Sequence, residues 1–325
     1  MIRVIIIGAG RIALSHLPHI LIHPKIELVA IVEPNIAARF IIEKLSQVKV
    51  VNRLEKLKPS DYDAAFVLTP PSTHFQIGKS LLEQGKHLFL EKPLSLDPNH
   101  SEKLYQLAKQ NKVEISVGYV YRFLPVFVKF KELLDNLKSK EILSAKINMC
   151  GNVVTEKTPK TWRNMGIGSG CIYDYGCHAI DLSLFLFGKP DEVICLEKHE
   201  LFQEGVVDKF SAKLKFKNNN NFDLDLNCNW ADESVRKAGI TIEINSHDLS
   251  LWTDGQLLKM SGESNLNLSI KNLNTDVPYY LRGEEFQNQL DQFITNITSR
   301  ALNYKSAKHA VICDKIISQL YECKL

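Results

Sequence analysis

The chain has 325 residues, of which 45% are apolar and 24% are charged, and its formal net charge is +3. This balance is typical of a globular protein with about two domains. A charge this small excludes the concentrated basic surface of a nucleic-acid-binding protein, and the apolar runs are too short to span a membrane.

The start of the chain and its cysteines indicate where the protein works. Residues 1–7 are apolar apart from Arg3 and run directly into a glycine turn, without the cleavage pattern of a signal peptide. The seven cysteines are odd in number and include no CxxC pair, which argues against zinc ribbons and disulfide scaffolds. We therefore expect a cytoplasmic protein with reduced thiols.

The first part of the chain alternates short apolar runs with amphipathic segments. The predicted strands are residues 3–7, 27–32, 48–51, 64–68, 87–90 and 114–117, and the predicted helices include residues 36–45, 73–84 and 100–110. Nearly continuous apolar strands separated by helices are typical of a parallel sheet that is covered on both faces. The pattern predicts an α/β Rossmann domain over residues 1–121.

A glycine-rich turn follows the first strand directly, with the sequence Gly-Ala-Gly-Arg-Ile-Ala at residues 8–13. Gly8 permits a tight turn, Gly10 lets the backbone approach a pyrophosphate, and the small Ala13 allows close packing of the helix. Arg11 and Ile12 open that helix, whose N-terminal amides would face the phosphates. We expect Gly8, Gly10, Arg11 and Ile12 to bind a dinucleotide.

Glu33, at the end of the second predicted strand, indicates which dinucleotide binds. A carboxylate about 20 residues after the glycines accepts hydrogen bonds from the ribose hydroxyls and repels a 2′-phosphate. The first arginine after Glu33 is Arg39, too late to hold such a phosphate. The sequence therefore predicts NAD in preference to NADP.

Beyond residue 140 the rhythm changes to an alternation with period two. Residues 210–216 and 222–228 flank an asparagine run that is typical of a hairpin loop, and strands are predicted at 241–244, 249–252 and 257–260. Helices are predicted at 125–138, 170–187, 280–299 and 305–322. We therefore expect residues 122–325 to form an α+β domain with a mainly antiparallel open sheet.

Three polar segments carry a family resemblance. Thr69-Pro-Pro-Ser-Thr-His74 and Glu91-Lys92-Pro93 follow strands of the first domain, and Asp174-Tyr-Gly-Cys-His178-Ala-Ile-Asp181 lies in the second. Ligands of parallel sheets bind where the strands end. Together with the glycine turn, these segments resemble the Gfo/Idh/MocA oxidoreductase family along nearly the whole chain.

The resemblance implies hydride transfer between a nicotinamide and a carbinol carbon, usually of a sugar, cyclitol or nucleotide-sugar. Lys92 is similar to the lysine that contacts the reacting oxygen, and Asp174 and His178 are similar to the polar pair on the substrate side. The cofactor contacts expected besides the glycine turn and Glu33 are Thr69, Pro70, His74, Glu91, Lys92, Trp162 and Arg163. The expected substrate contacts are Lys92, Tyr119, Arg122, Arg163, Asp174, His178 and Asp181.

The chemistry of alcohol oxidation leaves two assignments open. A general base must lie within reach of the hydroxyl proton. Either His178 is the base and Asp174 orients it, or Lys92 is the base and His178 binds a neighbouring hydroxyl. Asp174, His178 and Asp181 could also ligate a metal, but no further cluster completes such a site, and we expect none.

Two further functions compete with a sugar dehydrogenase: a regulatory protein that senses NAD or a sugar, and an imine or enone reductase. Arg122 and Arg163, with nearby aromatic residues, favour a sugar that carries an anionic group. If both arginines instead pair with acidic residues, that reason is removed. The open sheet has one face for its own helices, and we expect its other face to carry Leu and Phe positions as well as charges. The resemblance implies that subunits pair through this face, as a homodimer or homotetramer.

Overall fold

The computed structural model describes residues 1–136, 142–161, 163–166, 168–217, 221–235, 238–247, 249–262, 265–269, 283–299 and 302–324. Trp162, the tip of the asparagine loop at 218–220, and the predicted helical residues 137–138 and 280–282 lie outside the described residues. Within the described residues, no helix combines the length and the apolar character that crossing a membrane requires.

A six-stranded parallel sheet forms the first of two compact units. Its strands are β1 (Ile2–Ile7), β2 (Ile26–Val32), β3 (Val50–Val51), β4 (Ala64–Val67), β5 (His87–Leu90) and β6 (Ile115–Val117), in the order β3-β2-β1-β4-β5-β6. β1, the first strand of the chain, therefore lies near the centre of the sheet. Successive strands are added on one side of β1 up to β3 and on its other side from β4 onward. The Rossmann fold that the sequence predicts is confirmed.

The connecting helices are α1 (Ala13–Ile22), α2 (Ile36–Ser46), α3 (His74–Glu83) and α4 (Pro98–Asn111). Local sequence fixes several of their ends. The Asn35 side chain accepts from the amide of Ala38 at 2.9 Å, and Asp97 caps the amide of Asn99 at 2.8 Å. These side chains satisfy amides that the first helical turn leaves without intrahelical partners.

The second unit is built on an eight-stranded sheet. Its strands are β7 (Ile142–Cys150), β8 (Glu192–His199), β9 (Lys209–Phe216), β10 (Phe222–Asn229), β11 (Gly239–Ser246), β12 (Leu249–Thr253), β13 (Leu257–Gly262) and β14 (Leu266–Ser269), in the order β14-β13-β12-β11-β7-β10-β9-β8. Neighbours are antiparallel except β7 and β10, which pair in parallel. The mainly antiparallel sheet is confirmed.

The two faces of this sheet differ sharply in β9 and β10. Phe210, Leu214, Phe216, Leu224 and Leu226 are all buried. The intervening positions carry charges, and Lys213 lies 3.2 Å from Asp223 and 3.8 Å from Asp225. The Leu and Phe side chains of these strands therefore point inward, and the expectation that they also line the outer face is wrong, because residues of one face alternate along a strand.

Four more helices complete the chain: α5 (Pro125–Asn136), α6 (Cys177–Phe187), α7 (Glu284–Thr298) and α8 (Lys305–Glu322). The first unit contains Met1–Val120 and α7, whereas α5 and α6 belong to the second unit, and the division falls within α8. Leu290, Phe293 and Ile294 of α7 complete the core of the first unit, around residues such as Ile6 and Phe66. The units thus differ from the predicted division into residues 1–121 and 122–325.

Candidate functional site

The glycine turn after β1 has the geometry that a dinucleotide needs. Gly8 has a φ of 94°, and a Cβ there would lie 2.8 Å from the carbonyl oxygen of Leu68. A Cβ at Gly10 would meet no protein atom within 4 Å, so the backbone is open to a ligand. Ile12, at the N-cap of α1, contributes no side-chain hydrogen bond, and the amides of Ala13 and Ser15 donate to the carbonyl oxygens of Gly10 and Ile12. The positive end of the helix dipole faces this turn, which suits a pyrophosphate. Arg11 is exposed beside the turn.

Glu33 closes this turn from the end of β2. One carboxylate oxygen accepts from the amide of Ala9 at 2.7 Å, and the other accepts from the amide of Asn35 at 2.8 Å. The side chain is 8% exposed, so the charge is held next to the glycine turn. The residues therefore fit NAD: an open backbone at Gly10 and the N-terminus of α1 for the pyrophosphate, and a fixed acceptor for the ribose.

The turn after β5 is held by a buried carboxylate. Glu91 Oε1 lies 3.1 Å from His16 Nε2 of α1, and Oε2 accepts from the backbone amide of Lys92 at 3.2 Å. A Cβ at Gly118 would lie 2.8 Å from Glu91 Oε1. Glu91 therefore holds the backbone at Lys92 and packs on Gly118, while the Lys92 side chain is half-buried. Sequence reasoning missed His16, since its only signal is its place on the apolar first helix.

The turn after β4 is joined to the same segment by His74. Its Nδ1 lies 2.8 Å from the carbonyl oxygen of Pro93, and its Nε2 lies 2.9 Å from that of Thr69. The ring is fully buried, and burial lowers the pKa of His74 although the two carbonyls oppose this. His74 thus links the two turns by hydrogen bonds. Because both of its ring nitrogens lie on backbone carbonyls, its predicted contact with the cofactor is disfavoured. Thr69 and Pro70 remain partly or fully exposed beside Gly8.

Asp174 and His178, the polar pair predicted on the substrate side, lie at the junction of a π-helical turn and an α-helix. Asp174 belongs to a π-helical turn over Ile172–Gly176, and His178 belongs to the first turn of α6. Such single π turns within helices often occur at functional sites. Arg163 Nε lies 3.7 Å from Asp174 Oδ2. His178 is partly exposed and Asp174 is buried.

Arg122 and Asp181 form a buried ion pair. The Arg122 Nε donates to both carboxylate oxygens at 2.8 Å, and a second guanidinium nitrogen donates to Oδ1. Asp181 is 1% exposed, and burial raises its pKa to about 6 even though Arg122 opposes the shift. This geometry disfavours direct contact of Asp181 with a substrate. With Arg163 on Asp174, both predicted anion-binding arginines are paired with aspartates.

The aromatic residues expected near the substrate are mostly buried. Tyr119 is 2% exposed, and Tyr173 is also buried. Tyr121 is the partly exposed member of the group, and its ring lies against His178. The ring centroid of Tyr173 lies 5.2 Å from that of Tyr321, within the second unit. Among the described residues, no group of three or more histidine, cysteine or acidic side chains is arranged to hold a metal ion.

Comparison with known families covers most of the chain. Residues 2–119 match the model of the oxidoreductase family with an NAD-binding Rossmann fold, and residues 127–251 match the model of the GFO/IDH/MocA C-terminal domain. These two ranges contain the glycine turn, the turn after β5 and the Asp174–His178 segment. The first unit is thus an NAD-binding Rossmann domain.

Similar proteins include oxidoreductases of several organisms. The chain is 30% identical to Oxidoreductase P35 of Formosa agariphila, over 62% of this chain and 63% of that protein. It is 27% identical to the scyllo-inositol 2-dehydrogenase (NADP(+)) IolW of Bacillus subtilis, over 52% of this chain and 47% of that protein. The matches therefore span between 47% and 63% of the length of these two relatives.

A solved structure of levoglucosan dehydrogenase, in complex with NADH and levoglucosan, has the same fold. The TM-score is 0.84, with 18% sequence identity, and the match covers 98% of this chain and 97% of that one. The arrangement of a Rossmann unit and a second unit with a mostly antiparallel sheet is therefore shared over nearly the full length.

Proposed function

Because the chain belongs to the Gfo/Idh/MocA oxidoreductase family, we propose that it transfers a hydride between NAD and a carbinol or keto carbon of a sugar or cyclitol. Three features support this most directly: the glycine turn, Glu33 and Lys92 follow the carboxyl ends of β1, β2 and β5. These ends all lie at one edge of the parallel sheet. Ligands of such sheets bind outside this edge. The scyllo-inositol and levoglucosan dehydrogenases among the similar proteins support the substrate class.

NAD would lie along the glycine turn with its ribose at Glu33, and when bound it supplies the acceptor for the hydride. The residues of this chain then deal with the proton. Oxidation of a carbinol removes the hydroxyl proton as well as the hydride, so a base must reach that oxygen. We assign the contact with the reacting oxygen to the Lys92 amine, whose backbone is fixed by Glu91.

Two routes for the proton follow from the residues. In the first, the neutral amine of Lys92 accepts the hydroxyl proton, and His178 binds a neighbouring hydroxyl. In the second, His178 accepts the proton while Asp174 orients it, and Lys92 stabilises the negative charge on the oxygen. In the direction of reduction, the same group returns the proton to the oxygen.

A neutral polyol fits the second unit better than an anionic one. Arg122 is bound to Asp181, and Arg163 lies 3.7 Å from Asp174. An arginine that is already paired with a carboxylate offers less to a phosphate than one whose donors face the ligand. We therefore place free sugars and cyclitols ahead of nucleotide-sugars as substrates.

A substrate screen tests this proposal. The protein is mixed with NAD and a panel of free sugars, cyclitols, uronates, nucleotide-sugars and short aliphatic alcohols, and the absorbance of reduced nicotinamide is followed. We expect at least one free sugar or cyclitol to react faster than every short alcohol and every nucleotide-sugar. Faster turnover of a short alcohol, or no turnover of any polyol in either direction, contradicts the proposal.

The variant Lys92→Ala ties the activity to this site. We expect turnover to fall by at least ~10²-fold, the lower end for a lost acid–base group. NADH affinity by calorimetric titration should stay nearly unchanged, because Lys92 is assigned to the reacting oxygen. Lys103→Ala, which removes an exposed lysine of α4, is the matched control. Near-normal turnover in Lys92→Ala would exclude Lys92 from the reaction.

A further inference from the structure

Arg122, in the short 3₁₀ turn Val120–Phe123 with which the second unit begins, anchors this turn to α6. The guanidinium Nε donates to both oxygens of Asp181 at 2.8 Å. Asp181 is almost completely buried, so water does not compete for these charge-assisted bonds. Arg122 also lies over the ring of Phe185, with 5.9 Å between the guanidinium carbon and the ring centroid. The backbone next to Arg122 is therefore fixed relative to α6.

Tyr121 immediately precedes this anchor, and its ring is held between two others. Its centroid lies 4.8 Å from that of the His178 imidazole, with the ring planes at 79°. It lies 6.1 Å from that of Phe127 in α5, with the planes at 82°. Both are edge-to-face contacts, the arrangement that aromatic rings favour. The orientation of Tyr121 is therefore set from two sides, and its contact with His178 constrains the imidazole in turn.

We propose that Tyr121 is a positioning residue for His178, fixing the plane of the imidazole that contacts the substrate, with the Arg122–Asp181 pair holding Tyr121 in place. The consequence for turnover rests on the role proposed above for His178, whereas the orientation of the ring does not. The contact depends on the aromatic ring and not on the phenol hydroxyl. Phenylalanine should therefore preserve the function, and an aliphatic side chain should not.

The expected size of the effect follows from the strength of such contacts. Without the Tyr121 ring, the imidazole can occupy other orientations, and fewer molecules hold it ready for reaction. Aromatic pairs of this kind stabilise their arrangement enough for a threefold to tenfold change, so we expect turnover to fall by about that factor in Tyr121→Leu. The KM for NAD should not change.

The test uses the full chain in three variants: Tyr121→Phe, Tyr121→Leu and Tyr105→Leu. Tyr105 lies partly exposed on α4 and is the matched control. Histidine labelled with ¹³C reports the imidazole resonances, and His178→Asn identifies the signal of His178 among the ten histidines. Loss of the Tyr121 ring current alone would move this signal, so the quantity compared is the order parameter of the His178 ring from ¹³C relaxation. We expect it to fall in Tyr121→Leu and to stay close to the value of the unaltered protein in Tyr121→Phe and Tyr105→Leu.

Turnover with the best polyol is measured on the same variants, and Tyr121→Met replaces the leucine variant if that one does not fold. An unchanged order parameter of the His178 ring in Tyr121→Leu overturns the proposal whether or not the protein is active. A lower order parameter with unchanged turnover overturns it too, because positioning must then be irrelevant to the reaction. If the unaltered protein reduces no NAD with any polyol, the proposed function fails, and the order parameter alone decides whether Tyr121 orients His178.

Discussion

The carboxylate of Glu33 is fixed by the amides of Ala9 and Asn35 next to the glycine turn. A 2′-phosphate on the ribose would bring a second negative charge close to it. Two unit charges 4 Å apart in water repel by about 1 kcal/mol, which corresponds to about fivefold in affinity. We therefore expect calorimetric titration to show NADH binding at least about fivefold more tightly than NADPH.

Neutralising Glu33 should remove the preference for NADH over NADPH. In Glu33→Gln the side chain keeps its size and one acceptor oxygen, so the ratio of the two affinities should move toward one. Glu27→Gln alters an exposed acid on the same strand and should leave the ratio unchanged. Equal affinities in the unaltered protein, or a preference for NADPH, would be incompatible with this role of Glu33.

Which single residues can be placed from sequence depends on how far away their partners lie. Glu33 and Lys92 follow strands directly, so the chain order alone puts them at the ligand edge of the sheet. Asp181 pairs with Arg122, 59 positions earlier, and Glu91 pairs with His16, 75 positions away. Such pairs form only when the fold brings distant segments together, so no local pattern announces them.

At the scale of whole elements, periodicity predicted most of the structure. Predicted helix 305–322 matches α8, and predicted helix 36–45 is within one residue of α2. β7, β8 and β14 were not predicted. β8 is an edge strand of mixed exposure with a register shift between Cys195 and Glu197, so its side chains do not alternate cleanly between core and solvent. An irregular edge strand therefore gives little signal.

Glu114 joins α7 to the start of β6 by a hydrogen bond, and its buried carboxyl group should make the stability of the protein depend on pH. Glu114, just before β6, is 1% exposed. Its Oε1 accepts from Ser116 at 3.1 Å and from Asn296 of α7 at 2.9 Å, and Oε2 is buried without a hydrogen-bond partner among the described residues. Burial raises the pKa of this carboxyl, although the two hydrogen bonds oppose the shift.

The sign of the effect follows from the two states. In the unfolded chain a glutamate ionises with a pKa of about 4.3, whereas the folded protein holds the proton to higher pH. The stabilising contribution of protonated Glu114 to the free energy of unfolding is therefore fully present below the unfolded pKa. It is lost as the pH rises through the folded pKa. Glu114→Gln keeps an acceptor for both donors and never ionises. We expect it to melt above the unaltered protein at pH 8 and at nearly the same temperature at pH 4.

The difference in melting temperature is measured by circular dichroism at both pH values. About 1 kcal/mol shifts a large domain by roughly 2–4 °C, so an effect of that size is readily detected. Glu83→Gln is the control, because Glu83 lies on α3 with its side chain 51% exposed and Lys79 3.7 Å away. A Glu114→Gln protein that melts lower at pH 8, or shows the same difference at both pH values, would contradict this assignment.

On the scale of the whole molecule, the order of the chain and the grouping of its elements diverge. α7 follows the last described strand of the second sheet, yet Phe293 and Ile294 complete the core around β1 and β4. The amphipathic pattern of α7 predicts that one face is buried, but it does not identify the sheet that covers it. This is why the fold class could be predicted from the sequence while the composition of the two units could not.

The outer face of the eight-stranded sheet is the surface through which we expect copies of the chain to associate. Lys215 lies 3.4 Å from Glu192 on this sheet, Lys213 pairs with Asp223, and Lys259 lies 5.1 Å from the ring centroid of Trp252. A contact between copies through this face would be largely polar. Because exposed charges more than about 3 Å apart are screened at 1 M salt, such a contact should weaken as ionic strength rises.

We expect light scattering to report a dimer or tetramer at micromolar concentration and low salt, and a shift toward the monomer at high salt. Trp252→Glu should shift the protein toward the monomer at low salt, because it replaces an aromatic side chain of this face with a charge. Phe40→Glu, at a side chain of α2 that is 60% exposed, is the matched control. If Phe40→Glu disrupts the oligomer and Trp252→Glu does not, the subunits pair elsewhere, through the exposed apolar side chains of α2, which are Ile36, Phe40 and Ile41. A monomer under all these conditions would contradict self-association itself, since neither surface would then bind a second copy.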